Sequence, residues 1–389
     1  MQPTMTQRTA NIFVLIDGLG WEWVKAAPFL NEVAPHRRCL DTVFGFSAGA
    51  IPSILTGRHP QEHGRMAMFQ RAVDGRSPFA RLKWICSMPP VLVENRYVRR
   101  VVESVAAALG RFTGYFNIYS VPLRYLPLLD VAEKRDIYRP GGIPGSTSIF
   151  DLLQANGRAW RSYSYHQGDD FSLIDRAQQE LDRGTVGFYF LYLSQVDAFL
   201  HAHADRAPLV AARLTEYNAR LTRLYQVARR RYARVRLWIF SDHGMAPTRN
   251  TVNLRPVLDG LPAGAPRDYL CLLDSTMARF WFFADGVRNL VRDALRDCGA
   301  GRWLRETELR SMRAWFPDRR YGEEIYLLPE GHVIAPSHMG MAAPKGMHGF
   351  HPDAPHSRAA LLGSEDCGAG VSHITGVFGL MRSCGFAEI

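Results

Sequence analysis

Three carboxylates and a set of imidazoles in this 389-residue chain stand where short apolar runs end. Asp17 closes the run NIFVLID, and the adjacent pair Asp242 and His243 follows WIFS. In SQVDAFLHAHAD, Asp197 and His201 are four residues apart, which puts both on one face of a helical turn. Aspartates gathered in one place repel one another and raise each other's pKa unless cations neutralise them. Histidines interspersed among them favour zinc, manganese or iron over a purely oxygen-liganded magnesium or calcium site. A further histidine, His348 in PKGMHGFHPD, lies between Gly346 and Gly349, in a loop suited to close approach. His338, His351 and His356 compete with it, each by default an ordinary loop histidine.

A nucleophile is sought in TVFGFSAGAIPSILTGRHPQEHG, Thr42 to Gly64, which contains two serines, Ser47 and Ser53, around a short apolar helix expected over Ala50–Leu55. Spacing alone leaves both open.

The elements that must position these groups read as an α/β fold. NIFVLID, TVFGF, WRSYSYH, GFYFLYLSQVD and VRLWIFSDHG are strand candidates, with helical stretches between them such as SIFDLLQANG. This alternation predicts a mostly parallel central sheet flanked by helices on both faces. Ligands of such sheets bind beyond the carboxyl ends of the strands, so Asp17, Ser47, Asp197 and Asp242 are expected to converge on one edge. Two stretches interrupt the pattern. Residues 76–143, with prolines, aromatics and the amphipathic RYVRRVVESVAAALGRF but no obvious buried strand, read as an aromatic and basic cap; residues 250–340 read as a small α+β insertion. The catalytic core is then expected from 10–75, 144–249 and 341–389, with RAALLGS returning to the main sheet.

Composition bounds the partners. With 47% hydrophobic residues, long disorder is excluded. The net charge of +10 suits anionic substrates, nucleic acid or an anionic membrane. The arginine run between Arg213 and Arg234 reads as a solvated helix face, and nucleic acid is not expected because no aromatic interleaving accompanies it. Six cysteines without C-x-x-C pairs read as reduced thiols, and no apolar run reaches the ~18 residues that span a bilayer. The expected address is the cytoplasm.

Five pieces in order carry a resemblance: LIDGLG, a serine followed by a small helix ending in LTGRHPQEHG, D-x-x-x-H, SDHGM, and the late HGF. From Asn11 to about Leu362 the chain resembles the alkaline phosphatase superfamily, and most of all its type I phosphodiesterase/nucleotide pyrophosphatase branch. The resemblance implies Ser47 as nucleophile, nine residues before the threonine of the T-G dipeptide, Thr56. A helix start also suits an anion, whereas Ser53 falls inside the helix as a packed residue. It further implies two divalent metal ions, zinc or alternatively manganese, one held by Asp197, His201 and His348 and the other by Asp17, Asp242, His243 and Ser47. The implied function is a two-metal phosphohydrolase of the phosphodiesterase/nucleotide pyrophosphatase type, working through a phosphoserine at Ser47 on a small-molecule phosphoester. A phosphomonoesterase or phosphonate hydrolase using the same metal site is the alternative. A non-catalytic or membrane-surface binding protein ranks below both, and a peripheral membrane or lipid-linked substrate is compatible with the enzyme. Two features depart from the branch. Met68 stands where an asparagine amide usually donates to phosphate, and AGAIP replaces the usual run after the nucleophile. Arg65, Gln70 or a cap arginine is expected to supply the missing donor.

Overall fold

The apolar runs become a six-stranded sheet in a computed structural model that describes residues 6–368 and 370–386. Its strands are β1 (Thr6–Ile16), β2 (His36–Leu40), β3 (Trp160–Tyr163), β4 (Phe188–Leu193), β5 (Tyr232–Phe240) and β6 (Ala359–Gly363). In space they run β2-β6-β5-β1-β4-β3. β1 is parallel to both β4 and β5, and β4 to β3; β6 alone is antiparallel to its neighbours β5 and β2. The expected mostly parallel sheet is therefore present, with one reversed strand near its edge.

The helices around it are α1 (Ser47–Thr56), α2 (Ile149–Ala155), α3 (Asp170–Arg183), α4 (Gln195–His203), α5 (Ala207–Arg231) and α6 (Gly376–Phe386). Successive residues of β1 point to opposite faces, which divides the core in two. Ile12, Val14 and Ile16 pack with α3, α4 and α5, whereas Phe13 and Leu15 pack with α1, α2 and α6. All six residues of β4 are buried, as a strand covered on both faces requires. Along α5, Val210, Leu214, Tyr217, Leu221, Leu224 and Ala228 form the buried stripe. Arginines on its outer side pair locally, Arg213 with Glu216 and Arg220 with Asp175.

At two places the fold differs from what the sequence predicts. TVFGF is not a strand: the edge strand is the preceding HRRCL, and Thr42–Phe46 is a loop leading into α1. Gly45 at φ 125° turns the chain there, and a Cβ on it would lie 2.4 Å from the Met66 carbonyl oxygen. The helix accordingly starts three residues earlier than expected, at Ser47 itself. The second correction concerns 76–143, which contributes a strand: Leu129–Val131 pairs with Phe69–Arg71. At three residues each, these strands are too short to show a period.

Within 250–340, Tyr269–Asp274, Met277–Phe282, Glu324–Leu327 and Arg302–Trp303 build a four-stranded antiparallel sheet. The two inserted stretches share one apolar cluster, in which Phe79, Val102 and Leu126 meet Leu270, Leu272 and Trp281. Fully buried Arg279 ties the second insertion to the core, donating to Asp274 and to the Phe69 carbonyl. Among the described residues no helix is long and apolar enough to cross a membrane. Cys39, Cys271, Cys298, Cys367 and Cys384 are free thiols, while the Cys86 side chain and residues 387–389 lie outside the described set.

Candidate active site

Asp17 follows the last residue of β1 and Asp242 comes two residues after β5, so these neighbouring parallel strands deliver both carboxylates to one edge. β4, on the other side of β1, leads through Ser194 into α4, whose first turn carries Asp197 and whose last carries His201. Gly18, at φ 72°, makes the close approach here: a Cβ on it would lie 3.1 Å from Asp197 Oδ1. His348 arrives from far along the chain. The short pairing of Gly346–Met347 with Ala246–Pro247 sets it beside His243, the two rings stacked 3.8 Å apart.

These groups point at one another. His243 Nε2 lies 2.9 Å from Ser47 Oγ, 3.2 Å from Asp242 Oδ2 and 3.5 Å from Asp17 Oδ1. Asp197 Oδ2 is 3.2 Å from His201 Nε2, and its Oδ1 is 3.6 Å from His348 Nε2. Potential ligand atoms of Asp17, Asp242 and His243 form one compact set, and those of Asp197, His243 and His348 another. His201, expected in the second set, touches it through Asp197. The imidazoles are oriented from behind: His243 Nδ1 faces the Gly244 carbonyl at 3.0 Å and His201 Nδ1 the Gly346 carbonyl at 2.8 Å. A carbonyl only accepts, so each Nδ1 carries a proton and Nε2 is the nitrogen turned toward the carboxylates.

Whether metal ions fit is decided by the carboxylates. Asp17 Oδ2 accepts from the Tyr192 hydroxyl and Asp242 Oδ1 from the Gly18 amide. The other oxygen of each, Asp17 Oδ1 and Asp242 Oδ2, is buried without a hydrogen-bond partner, as is Asp197 Oδ1. Three unpartnered buried carboxylate oxygens are costly unless a cation meets them, so the donor set fits divalent ions. The electrostatics agree. Burial, reinforced by Asp242 and Asp197, holds the Asp17 carboxyl well above its usual range. Burial and Asp197 push Asp242 up to about 7. Burial and the stacked His243 hold His348 well below the usual imidazole range. For His201 burial acts downward, but the Asp197 carboxylate outweighs it and lifts the imidazole to about 9.

Ser47 is the first residue of α1, where no side chain caps the helix. Its amide and that of Ala48 belong to the helix's unsatisfied first turn, at the positive end of the dipole. Ser53, one helical stretch further, is fully buried, donating to the Gly49 carbonyl and lying 2.9 Å from His63 Nε2. The competing histidines are engaged elsewhere. His338 Nδ1 accepts from the Leu273 amide, His351 lies near Glu308, and His356 pairs with Glu330.

A cavity of about 580 Å³ opens over Ser47, Asp17, Asp197, His201 and His348. Arg65 and Gln70 do not line it; the Arg65 guanidinium instead donates to the Gly142 carbonyl. Met68 does line it, together with Tyr115, Tyr119, Tyr165, Tyr192 and Glu133, and no lysine or arginine among the described residues does. Of these, Glu133, Tyr165 and Tyr192 escaped the sequence reading. Two tyrosines inside the apolar run FYFLYL were the available signal for Tyr192, because a buried phenol needs a polar partner. Glu133, in the charged stretch VAEKRD, gave none.

Residues 11–350 match the family profile described as type I phosphodiesterase/nucleotide pyrophosphatase. The chain belongs to the type I phosphodiesterase/nucleotide pyrophosphatase family. Members of this family are metal-dependent phosphoric ester hydrolases, and the protein is an enzyme of that kind. No curated protein matches the sequence. Among solved structures, murine ectonucleotide pyrophosphatase/phosphodiesterase 5 is 15% identical, superposing with a TM-score of 0.65 over 98% of this chain and 95% of its own. The same murine protein is also known as an inactive variant in complex with AMP. Phosphonoacetate hydrolase from Sinorhizobium meliloti, in complex with phosphonoacetate, is 13% identical, with a TM-score of 0.61 over 97% of this chain and 96% of its own. At such identities these likenesses show the shared α/β fold. The phosphodiesterase/nucleotide pyrophosphatase family assignment rests on the profile.

Proposed function

We propose that the protein hydrolyses a phosphodiester or pyrophosphate bond with Ser47 as nucleophile and two divalent metal ions, zinc or manganese. Asp17, Asp242, His243 and the Ser47 hydroxyl would hold one ion, and Asp197, His201 and His348 the other. The observation that carries this reading is the ring of unpartnered oxygens on Asp17, Asp197 and Asp242 around a serine hydroxyl at a helix start. Bound ions would supply charge that favours the serine alkoxide and offsets charge on the phosphoryl and leaving oxygens.

The chain's own part is positional. Ser47 Oγ, fixed by α1, attacks phosphorus in line; the P–O bond to the leaving group breaks and a phosphoserine forms. The first-turn amides of α1 receive the phosphoryl oxygens. Water then cleaves the phosphoserine, releasing phosphate or a phosphomonoester and restoring the hydroxyl. We infer that 10–75, 144–249 and 341–389 make this catalytic core, and that 76–143 and 250–340 wall the cavity, since Tyr115, Tyr119, Glu133, Ser275 and Ser337 all line it.

One observation favours a second reading, a phosphomonoesterase or phosphonate hydrolase on the same site. Met68 lies in the cavity wall where an amide donor is usual, and no lysine or arginine among the described residues stands in for it. A panel of p-nitrophenyl phosphate, bis-p-nitrophenyl phosphate, a phosphonate monoester and nucleotide sugars, each with Zn²⁺ or Mn²⁺, separates the two. The diester is expected to be preferred in kcat/KM; preference for the monoester or phosphonate replaces the leading reading with the second.

A further inference from the structure

Exposed large hydrophobic side chains are not spread evenly over this molecule. Most of those among the described residues fall between Val73 and Tyr115. Along the helix Arg96–Gly110, the side chains of Tyr97, Val101, Val105 and Leu109 recur every four residues and are all exposed, Tyr97 by 64% and Val101 by 60%. Trp84 at 67% and Val91 at 92% are exposed in the two short helical segments that precede this helix in the chain, Lys83–Cys86 and Pro90–Val93. The opposite side of the same helix is anchored: Val102 and Ala106 are buried, and Arg99 donates to the carbonyls of Tyr119 and Val121. The helix is therefore held to the body with an apolar stripe facing outward.

The charges around the stripe have one sign. Arg81, Lys83, Arg96, Arg100 and Arg111 are exposed, and none forms an ion pair among the described residues. The two acidic residues of 76–111 are consumed locally: Glu94 pairs with Arg99 and accepts from the Leu123 amide, and Glu103 accepts from the Ile118 amide. Arginines elsewhere commonly have acidic partners, as in Arg288 with Glu323 and Glu324 or Arg302 with Glu308.

We propose that this face of the cap docks on an anionic lipid bilayer, with Trp84, Tyr97 and the valine stripe entering the headgroup boundary and the cations meeting lipid phosphates. An amphipathic helix with aromatic and aliphatic residues on one side and only cations beside them has the composition of an interfacial helix. Each basic residue near an anionic surface adds to the attraction. A second copy is a poorer occupant, because a two-fold contact would set these cations against their equivalents. The docked face is continuous with the catalytic cavity. Tyr115, which follows this helix and is itself exposed, lines the cavity with Tyr119, whose carbonyl Arg99 holds. A bound bilayer would thus lie beside the cavity wall.

The test is co-sedimentation of the full chain with vesicles of phosphatidylcholine alone or mixed with phosphatidylglycerol, at low and high salt. Binding is expected to the mixed vesicles at low salt and to weaken as salt rises. Either Val101→Ser/Val105→Ser/Leu109→Ser or Arg96→Gln/Arg100→Gln should weaken it by at least about tenfold, since apolar burial and charge contribute together. The control Arg223→Gln/Arg230→Gln, on α5, should not. Quenching by brominated lipid should disappear in Trp84→Phe. All variants are at exposed positions, and unchanged circular dichroism establishes that they fold. The proposal is overturned by absence of binding, by binding that the cap variants leave intact, or by binding that only the α5 control weakens. It is also overturned if the stripe variant dissociates a dimer while vesicles bind neither form.

Discussion

Ser47 Oγ and His243 Nε2 lie 2.9 Å apart although 196 residues separate them in the chain. A helix start and a strand end meet at this contact, and Asp17 and Asp242 converge on the same nitrogen. The two serines of the Thr42–Gly64 stretch consequently have different fates.

Ser47→Ala is expected to lower kcat by about 10³-fold or more while leaving thermal stability nearly unchanged. Ser53→Ala should do the reverse. It removes a buried hydroxyl that bonds the Gly49 carbonyl and His63, for a loss of about 1–2 kcal/mol in urea unfolding with kcat within about twofold of the parent. Full activity in Ser47→Ala would remove it as nucleophile.

Chelation should abolish activity, and Zn²⁺ or Mn²⁺ should restore it. An ion present at a hundredfold its Kd stabilises the native state by about 2.7 kcal/mol, so the melting temperature should fall on chelation. Asp242→Asn should lose about half of the bound metal by elemental analysis, because it alters one of two ligand sets. Retention of both ions would show that Asp242 is not a ligand.

Glu133 offers a pH test away from the metal ligands. Burial raises its carboxyl to about 7 from an ordinary value of 4.5, despite the Tyr115 amide and the nearby Arg65 charge acting downward. Between these values the native state binds more protons than the unfolded chain, so this group's contribution to stability falls as pH rises through the window. The loss is on the order of 3 kcal/mol at most. Glu133→Gln keeps an acceptor for the Tyr115 amide and removes the titration, so its urea stability should fall less between pH 4.5 and 7 than that of the parent. Identical slopes would contradict the assignment.

Arg279 is fully buried against Asp274, and it also donates to the Phe69 carbonyl. Arg279→Met leaves that carboxylate uncompensated and should cost about 3–5 kcal/mol in urea unfolding. The double variant Arg279→Met/Asp274→Leu should recover much of this. A double variant as unstable as the single one would mean that the Phe69 contact, not the ion pair, dominates.

Much of this was legible locally. The short β-branched and aromatic run NIFVLID, followed by turn glycines, contains both its strand signal and the aspartate that ends it, and the four-residue step from Asp197 to His201 needs only one helical turn. The misreading of TVFGF has the same origin: β-branched and aromatic residues look like a strand, yet the Met66 backbone against Gly45 requires a turn there. The Phe69–Arg71 and Leu129–Val131 pair was invisible because its partners lie 58 or more residues apart and each is one short segment.

The order and types of the metal-directed residues, the alternation of strands and helices, and the place of Ser47 before a helix are properties of the sequence by itself. They depend on neighbours within a few positions, where backbone periodicity is stronger than remote packing. Which oxygens of Asp17, Asp197 and Asp242 are left without partners, which imidazole nitrogens face inward, and why Glu133 rather than Arg65 or Gln70 reaches the cavity were decided only in the tertiary structure. Hydrogen-bond satisfaction and desolvation depend on groups that the fold brings together from distant parts of the chain, and residue spacing does not encode them.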